Sequence, residues 1–258
     1  PGAIEPGGSD SIQAAVAKDA KDLTLGEQKA VAEDIAAKGE ASPAYAKAKA
    51  AMDAGTKFSM KLTDGQTLTY RIIGINHDDC TDGSGKAGLT FLTTSTGIIS
   101  RMNATFTTAG GWEKSELRQK MNSGEIWSLM PAEFQSKVKP VAKLTNNVGG
   151  GWQNEKAVVT PTTDRLFLLS YSEIAEAPIS GWSGCSWVGK EGTQYDAFRG
   201  KVTDGSITNS YINIGDSWWE RSVEPYNSEW FLYVSRFGQP STSQEANSHI
   251  CICPAWCF

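Results

Sequence analysis

The C-terminal segment from about residue 210 combines two kinds of position. Aromatic, β-branched and proline residues recur at the spacing expected of half-buried strands, so they predict a rigid scaffold. These scaffold residues are Trp218, Trp219, Phe231, Val234, Ile252, Pro254 and Phe258. The residues between them share no single chemistry but are rich in Tyr, Ser, Asn and Arg. Binding loops favour these types because they combine contact area with adaptable hydrogen bonding, so the segment predicts a binding surface on a rigid fold.

Length and charge limit what the chain can do. Its 258 residues are enough for one large domain, or a main domain with a small accessory piece, that folds without metal or disulfide. The net charge is −5 and no run of Lys or Arg occurs, so nucleic acid is not expected as a partner. No apolar stretch approaches the roughly 20 residues that cross a bilayer, so no membrane span is expected. Residues 1–9 are interpreted as a cloning remnant or a disordered segment.

Residues 10–55 are rich in Ala, Lys, Glu and Asp and predict an accessory helical segment. Thr24 and Glu27 have the spacing of a capping box, which marks one helix start. Ser42-Pro43 is typical of a second helix start, and Gly55 of a helix end.

From residue 56 the apolar period changes to two, and residues 56–258 predict an α+β domain with mixed short strands, two short helices and long loops. Its first strands are predicted to form a hairpin over 58–72 with a two-residue turn at Asp64-Gly65. Further strands are predicted at 88–94, 139–144 and 165–170, and the helices at 115–122 and 131–138.

Few residues are available for catalysis. The only histidines are His77 and His249, and no nucleophile elbow, phosphate loop, dinucleotide fingerprint or HExxH motif occurs. The sequence therefore predicts a protein that is not an enzyme. Glu173 and Glu176, three residues apart on a predicted helical turn, are interpreted as a solvated helix face.

The cysteines are odd in number and concentrated near the C-terminus: Cys80, Cys185, Cys251, Cys253 and Cys257. The last three are expected to be buried free thiols, because C-x-C-x-x-x-C lacks the paired spacing of a zinc site. The segment 77–83 resembles a calcium loop, but a cysteine stands at a ligand position, and a solvated hairpin loop is the favoured interpretation. No metal or cofactor is expected.

Several sequence blocks, in the same order, resemble an uncharacterised domain family of gut-type bacteria and their phages. The blocks are GGWEKSELRQKMNSGEIWSLMP (110–131), TTDRLFLLSYSEI (162–174), EGTQYDAF (191–198), SWWERSV (217–223) and ICPAWCF (252–258). The resemblance implies a C-type-lectin-like fold over residues 56–258. It further implies the variable protein of a diversity-generating retroelement, in which a reverse transcriptase rewrites C-terminal codons at their adenines. The variable region would span about 210–252.

The family mechanism implies which positions vary, because an AAC or AAT codon changed only at adenines never encodes Trp, Glu, Gln, Lys or Met. The ligand-binding positions predicted in this way are Asn213, Gly215, Asp216, Tyr226, Asn227, Ser228, Tyr233, Arg236, Phe237, Ser241, Ser243, Asn247, Ser248 and His249. Trp182, Trp187 and Trp230 are additional candidates for a wall of the site, although Trp182 and Trp187 are equally consistent with a core. The implied scaffold includes Trp218, Trp219, Arg221 and Pro254.

Sequence and resemblance together predict a non-enzymatic ligand-binding protein of receptor or adhesion type. The expected partner is a macromolecule, a protein first and a glycan second, since a shallow face contacts a protein more readily than it encloses a small molecule. One alternative is a carbohydrate-binding module of a surface protein, favoured by Trp182 and Trp187. Another is a cysteine-dependent oxidase related to formylglycine-generating enzymes. The resemblance implies a phage particle or a bacterial cell surface as the location.

Overall fold

The computed structural model describes residues 9–258, so the predicted segment 1–9 lies, except for its last residue, outside the described part. Three helices come first: α1 (Ser9–Ala17), α2 (Leu25–Lys38) and α3 (Tyr45–Ala54). Within the described residues, no helix has the length and apolar character needed to cross a membrane.

The starts and ends of these helices follow their capping residues. The capping box before α2 is confirmed, since Thr24 and Glu27 each accept a hydrogen bond from the other's backbone N–H. The predicted start of α3 at Ser42-Pro43 is wrong by two residues. The Ser42 hydroxyl instead donates to the Asp34 carboxylate and caps a tight turn between the helices. Gly55 ends α3 as predicted, in the left-handed conformation with φ 63°.

The helices pack directly on the strands that follow. Gln28 of α2 accepts a hydrogen bond of 2.8 Å from the Tyr70 hydroxyl. At Gly88 an added Cβ would lie 1.8 Å from the Ala32 carbonyl oxygen, so only glycine allows α2 to approach this closely. The buried apolar side chains of the helices therefore belong to the same core as those of the sheets.

Eleven strands and four further short α-helices follow in the described chain, separated by loops and short 3-10 turns. The strands are β1 (Phe58–Lys61), β2 (Thr67–Ile75), β3 (Leu89–Thr93), β4 (Ile99–Ser100), β5 (Val141–Asn146), β6 (Val159–Asp164), β7 (Trp218–Val223), β8 (Trp230–Val234), β9 (Thr242–Glu245), β10 (Ile250–Cys251) and β11 (Ala255–Cys257). The helices are α4 (Glu116–Asn122), α5 (Glu125–Leu129), α6 (Ala132–Gln135) and α7 (Tyr171–Ile174).

The strands form three small sheets, which confirms a mixed α+β architecture. One sheet has the order β1-β2-β3-β11, a second has the order β4-β10-β7-β8-β9, and β5 pairs only with β6. The first sheet thus joins the earliest strands to the last one. Trp256 of β11 lies with its ring centroid 4.9 to 5.9 Å from those of Tyr70, Phe91 and Phe134, at the centre of an aromatic core.

Some predicted elements differ from the structure. The β1–β2 hairpin pairs Lys61 with Thr67, so its loop is longer than the predicted two-residue turn at Asp64-Gly65. The prediction of a strand at 165–170 is wrong, because the backbone hydrogen bonds of this run go to two different sheets. Phe167 exchanges two with Ala255 of β11, whereas Leu169 accepts one from Arg221 of β7, and the run forms no ladder of its own.

The helix predictions were incomplete. α4 lies where a helix was predicted and α7 overlaps the helical turn predicted at Glu173, whereas α6 is shorter than the predicted 131–138 and α5 was not predicted. The apolar run before α7 obscured its start. Ser170 nevertheless forms a capping box with Glu173 there.

Candidate ligand-binding face

The fourteen predicted ligand-binding positions are all at least partly accessible to solvent, and we call them together the C-terminal face. The predicted scaffold residues Trp218, Trp219, Arg221 and Pro254 are buried. β7 is buried along its whole length, and the accessible positions lie in the turns and connecting segments and at Tyr233 of β8 and Ser243 of β9. The division that the sequence predicted between contact residues and scaffold residues therefore coincides with a division in burial.

The turn 224–229, which joins β7 to β8, is held mainly through its backbone. Thr108 donates to the Ser228 carbonyl from both its N–H (2.8 Å) and its hydroxyl (2.9 Å), and the Gly151 N–H donates to the Pro225 carbonyl (3.0 Å). An added Cβ at Gly150 would lie 2.2 Å from the carbonyl oxygens of residues 224 and 227. The glycine loop thus contacts the turn backbone to backbone, and these contacts do not depend on the side chains the turn carries.

The turn 235–239, which follows β8, is held in the same way. The Gly238 N–H donates to the Ser235 carbonyl (2.8 Å), and the Gly238 carbonyl accepts from the Asn209 N–H (2.9 Å). Gly238 has φ 89° and an added Cβ would lie 2.1 Å from the Asn209 carbonyl oxygen, so this position requires glycine. The turn presents Arg236 and Phe237 to solvent, with the guanidinium 4.8 Å from the ring centroid.

After β9, the chain is again fixed by main-chain groups. The Ala246 carbonyl accepts from the N–H groups of Met102 (2.9 Å) and Asn103 (3.0 Å), and the Ala246 N–H donates to the Glu229 carbonyl (2.9 Å). Ala246 itself is fully buried, so this alanine anchors the segment that carries Asn247, Ser248 and His249.

Several members of the C-terminal face are constrained locally, and Gly215 has φ 88°, where a side chain is strained. Tyr233 lies edge-on to Trp219, with ring centroids 6.2 Å apart. The side chains of Asn213 and Asn227 accept hydrogen bonds of 2.7 Å within their own turns, from the N–H groups of Gly215 and Glu229. These positions should tolerate substitution less well than the other members.

The wall candidates occupy different environments. Trp182 and Trp187 are buried at 5% and 1% exposure, so they belong to the core and do not wall an accessible surface. Trp230 is half-buried on β8, opposite Glu245 of β9.

Sequence reasoning missed the most exposed tryptophan next to this face. Trp152 follows the glycine loop, is 70% exposed, and stacks on Tyr226 with ring centroids 4.3 Å apart. Phe106 and Val148 are also exposed and line a shallow pocket of about 270 Å³ with Ser228. The signal available in the sequence was the tryptophan itself, in the polar stretch GGGWQNE.

A second group of polar residues lies at the centre of the domain, and we call it the buried charge cluster: Asp78, Lys143, Glu173 and Arg221. The Lys143 ammonium donates to Asp78 (2.6 Å) and Glu173 (2.5 Å), and Arg221 donates to Glu173. Each side chain is 4% exposed or less. Glu173 was predicted to lie on a solvated helix face. That prediction is wrong, because α7 turns this carboxylate inward.

Arg221 also satisfies its remaining donors. Its Nε donates to the Thr145 hydroxyl (2.8 Å), and its terminal nitrogens donate to the carbonyl oxygens of Leu144, Leu168 and Glu191 (2.8 to 2.9 Å). The guanidinium therefore links β7 to β5 and to two connecting segments. A buried charge is tolerated in this way only when it is paired and fully hydrogen-bonded.

Electrostatics divide the buried carboxyl groups into two kinds. Burial acts to raise the pKa of Glu173, but Arg221 and Lys143 outweigh it and hold the pKa below its usual value. Burial raises the pKa of Glu191 to about 7, although Arg221 opposes the shift. Burial, together with the nearby Glu191, raises the pKa of Glu220 well above its usual value. Neither carboxyl oxygen of Glu220 has a hydrogen-bond partner among the described residues.

The buried cysteines have thiols that ionise with difficulty. All five cysteines are buried and free. Burial raises the pKa of Cys251 to about 12, with a further contribution from Asp216, and raises the pKa values of Cys253 and Cys257 well above the usual value. The thiolate is the nucleophilic form, so these groups are poor nucleophiles near neutral pH.

The fold and the face together define an α+β domain that carries an exposed loop-and-strand surface over a buried scaffold. A family described as a domain of unknown function (DUF6273) matches residues 87–258, about two thirds of the chain. The chain belongs to this family. A comparison with curated proteins found no match, and a comparison with solved structures found none either.

Proposed function

We propose that this chain is a non-enzymatic ligand-binding protein whose C-terminal face is diversified, as the variable protein of a diversity-generating retroelement. Its domain would have a C-type-lectin-like fold. The α+β architecture supports that assignment, as does a sheet that joins the first strands to the last one with long loops between them.

The observation that carries the proposal is how the C-terminal face is supported. Its turns at 224–229 and 235–239 and the segment after β9 are fixed by main-chain hydrogen bonds and by glycine contacts. A surface supported in this way keeps its shape while its side chains change. That property is what a diversified binding protein needs and an ordinary fixed site does not.

The expected partner is a protein. The exposed members of the face include Tyr, Phe and Arg, the residue types enriched at protein interfaces. The face is built from strands and turns rather than enclosed in a deep cavity, which suits a flat epitope. A phage particle or a bacterial cell surface remains the expected location.

Carbohydrate binding is the second candidate function, and the exposure of Trp152 favours it. An exposed indole stacked on Tyr226, with Gln153 and Asn154 beside it, offers an apolar platform and hydrogen-bonding groups to a sugar ring. The tryptophans that first suggested this function, Trp182 and Trp187, are buried.

The DNA that flanks the gene tests the proposal. A nearby partial copy of codons 210–252 that differs only at adenines, beside a reverse-transcriptase gene, would support it. The adenine positions would then give the variable residues directly. If neither is found near the gene, this chain is not a diversified protein.

A further inference from the structure

Trp152 is an exposed side chain that is nevertheless held in one place. The Gly151 N–H is bonded to the Pro225 carbonyl (3.0 Å), and the Asn154 side chain donates to the Gly150 carbonyl (3.0 Å), so both sides of Trp152 are tied. Tyr226 supports one face of the indole at 4.3 Å. A rigid aromatic group loses little entropy when it binds a partner, which is why such groups act as anchors.

Two exposed apolar side chains line a shallow pocket together with Gln153 and Asn154, which follow Trp152 in the chain. Phe106 is 54% exposed and Val148 is 48% exposed, on the two loops that support the turn 224–229. We call Phe106, Val148, Trp152 and Tyr226 the anchor patch. Its first three members lie outside the predicted variable region, and Tyr226 lies within it. The patch therefore joins constant loops to the C-terminal face.

Charge around the anchor patch is one-sided. Four segments near it, 104–109, 147–157, 224–230 and 242–249, contain four glutamates and a single lysine, and the side chain of Lys114 lies beside Gly110, whose N–H donates to the Val148 carbonyl. The glutamates are Glu155, Glu224, Glu229 and Glu245, and the lysine is Lys156. All five side chains are at least partly exposed. A mainly acidic neighbourhood of exposed apolar side chains favours a partner with the opposite charge.

We propose that the anchor patch is a constant part of the binding surface, and that it takes an apolar side chain of a protein partner flanked by lysine or arginine. This inference rests on the proposed function of the C-terminal face. The constant residues would supply a basal affinity that every variant shares, and the variable residues would supply the specificity.

The test uses a yeast-display library in which the C-terminal face is diversified except at Tyr226. Binders are selected against lysozyme, a basic protein, and in parallel against ovalbumin, an acidic one. Each lysozyme binder is then remade with Trp152→Ser and, as a matched control, with Ile99→Ser. Ile99 is 59% exposed on β4, at the sheet edge opposite β9.

We expect lysozyme to yield more binders than ovalbumin. Trp152→Ser should raise Kd at least about tenfold in most of them, and Ile99→Ser less than about twofold. Both changes should leave the thermal unfolding midpoint of the parent unchanged, because both side chains are mostly exposed. A loss of affinity with an unchanged midpoint assigns the effect to the anchor patch.

Each of the remaining outcomes would contradict a different step of this inference or of the proposed function. If binders arise but Trp152→Ser changes Kd by less than twofold, this inference is wrong and the proposed function survives. If only ovalbumin yields binders, the charge argument is wrong. If the parent chain binds a neutral glycan array through Trp152, the partner is a sugar and not a protein. If no binders arise against either target, the proposed function fails together with this inference.

Discussion

Arg221 on β7 and Tyr233 on β8 lie on neighbouring strands, yet they belong to regions with opposite requirements. In the buried charge cluster each polar side chain has specific partners, so Arg221 alone satisfies a carboxylate, a hydroxyl and three carbonyls. On the C-terminal face the main chain makes most of the fixed contacts, and the side chains are largely free of them. One sheet can therefore require particular side chains on its inner side and accept varied side chains at its outer turns.

The largest effect is expected at the centre of the buried charge cluster. Lys143→Met leaves the carboxylates of Asp78 and Glu173 buried with one cation fewer. Breaking such a pair costs about 3–5 kcal/mol of unfolding free energy, measured by urea denaturation. Lys156→Met, on an exposed lysine, should change it by less than about 0.5 kcal/mol. Equal effects of the two changes would show that the cluster does not stabilise the fold.

A comparable loss is expected for the scaffold of the C-terminal face. Trp219 is fully buried, and its indole N–H donates to the Ser100 carbonyl at 3.0 Å. Trp219→Ala should therefore cost roughly 3–5 kcal/mol, whereas Tyr226→Ala, Arg236→Ala and Phe237→Ala should leave the thermal unfolding midpoint nearly unchanged. A large loss from any of these three would contradict the assignment of that residue to the face.

Glu191, unlike an exposed carboxylate, should make the free energy of unfolding depend on pH between its unfolded and folded pKa values. Its folded pKa is about 7 against an ordinary 4.5, so the folded state holds the proton more tightly than the unfolded chain. This contribution is fully present below pH 4.5 and is lost as the pH rises through about 7. The loss amounts to up to about 3 kcal/mol.

Glu191→Gln removes this titration while keeping a side chain that can bond to the Asn146 N–H and the Ser222 hydroxyl. We expect the unfolding free energy of the variant to fall less steeply between pH 4.5 and pH 8 than that of the wild type. Glu220 shifts in the same direction and remains in the variant, so some slope should persist. Glu229→Gln changes an exposed carboxylate and serves as the control, so its unfolding free energy should depend on pH as that of the wild type does. If Glu191→Gln also shows the wild-type pH dependence, this role of Glu191 is contradicted.

The smallest stability effect is expected at the glycine loop. Gly150→Ala places a Cβ 2.2 Å from two carbonyl oxygens of the turn 224–229, and forced overpacking of this kind costs about 1–3 kcal/mol. Gly181→Ala is the matched control, because its added Cβ meets nothing closer than 4.0 Å. Thermal denaturation of both variants measures the difference. If Gly150→Ala is as stable as the control, the loop does not need to contact the turn closely.

The sequence predicted those features that depend on local pattern. Period-two apolar spacing located β1 and β2, the run at 88–94 located β3, and the capping box located the start of α2. The aromatic scaffold of the C-terminal segment was also correctly assigned to the core. In each case the information lies within a few neighbouring residues.

Features that depend on distant partners were missed. Glu173 was interpreted as solvated because nothing near it in the sequence indicates Lys143 and Arg221, which approach it only in the folded chain. The run 165–170 has the composition of a strand, but it shares its backbone bonds between two sheets. Trp152 could not be distinguished from a core tryptophan, since its exposure depends on how the glycine loop packs.

A fully diversified library shows whether the C-terminal face keeps its backbone when its side chains change. All fourteen positions are diversified with AAC-derived codons on the yeast surface, and the surviving fraction after protease treatment is compared with that of the parent. We expect most members to resist protease nearly as well as the parent. Those that lose resistance should be enriched in changes at Tyr233, Asn213, Gly215 and Asn227. A library in which most members are cleaved, with losses spread evenly over all positions, would contradict the account.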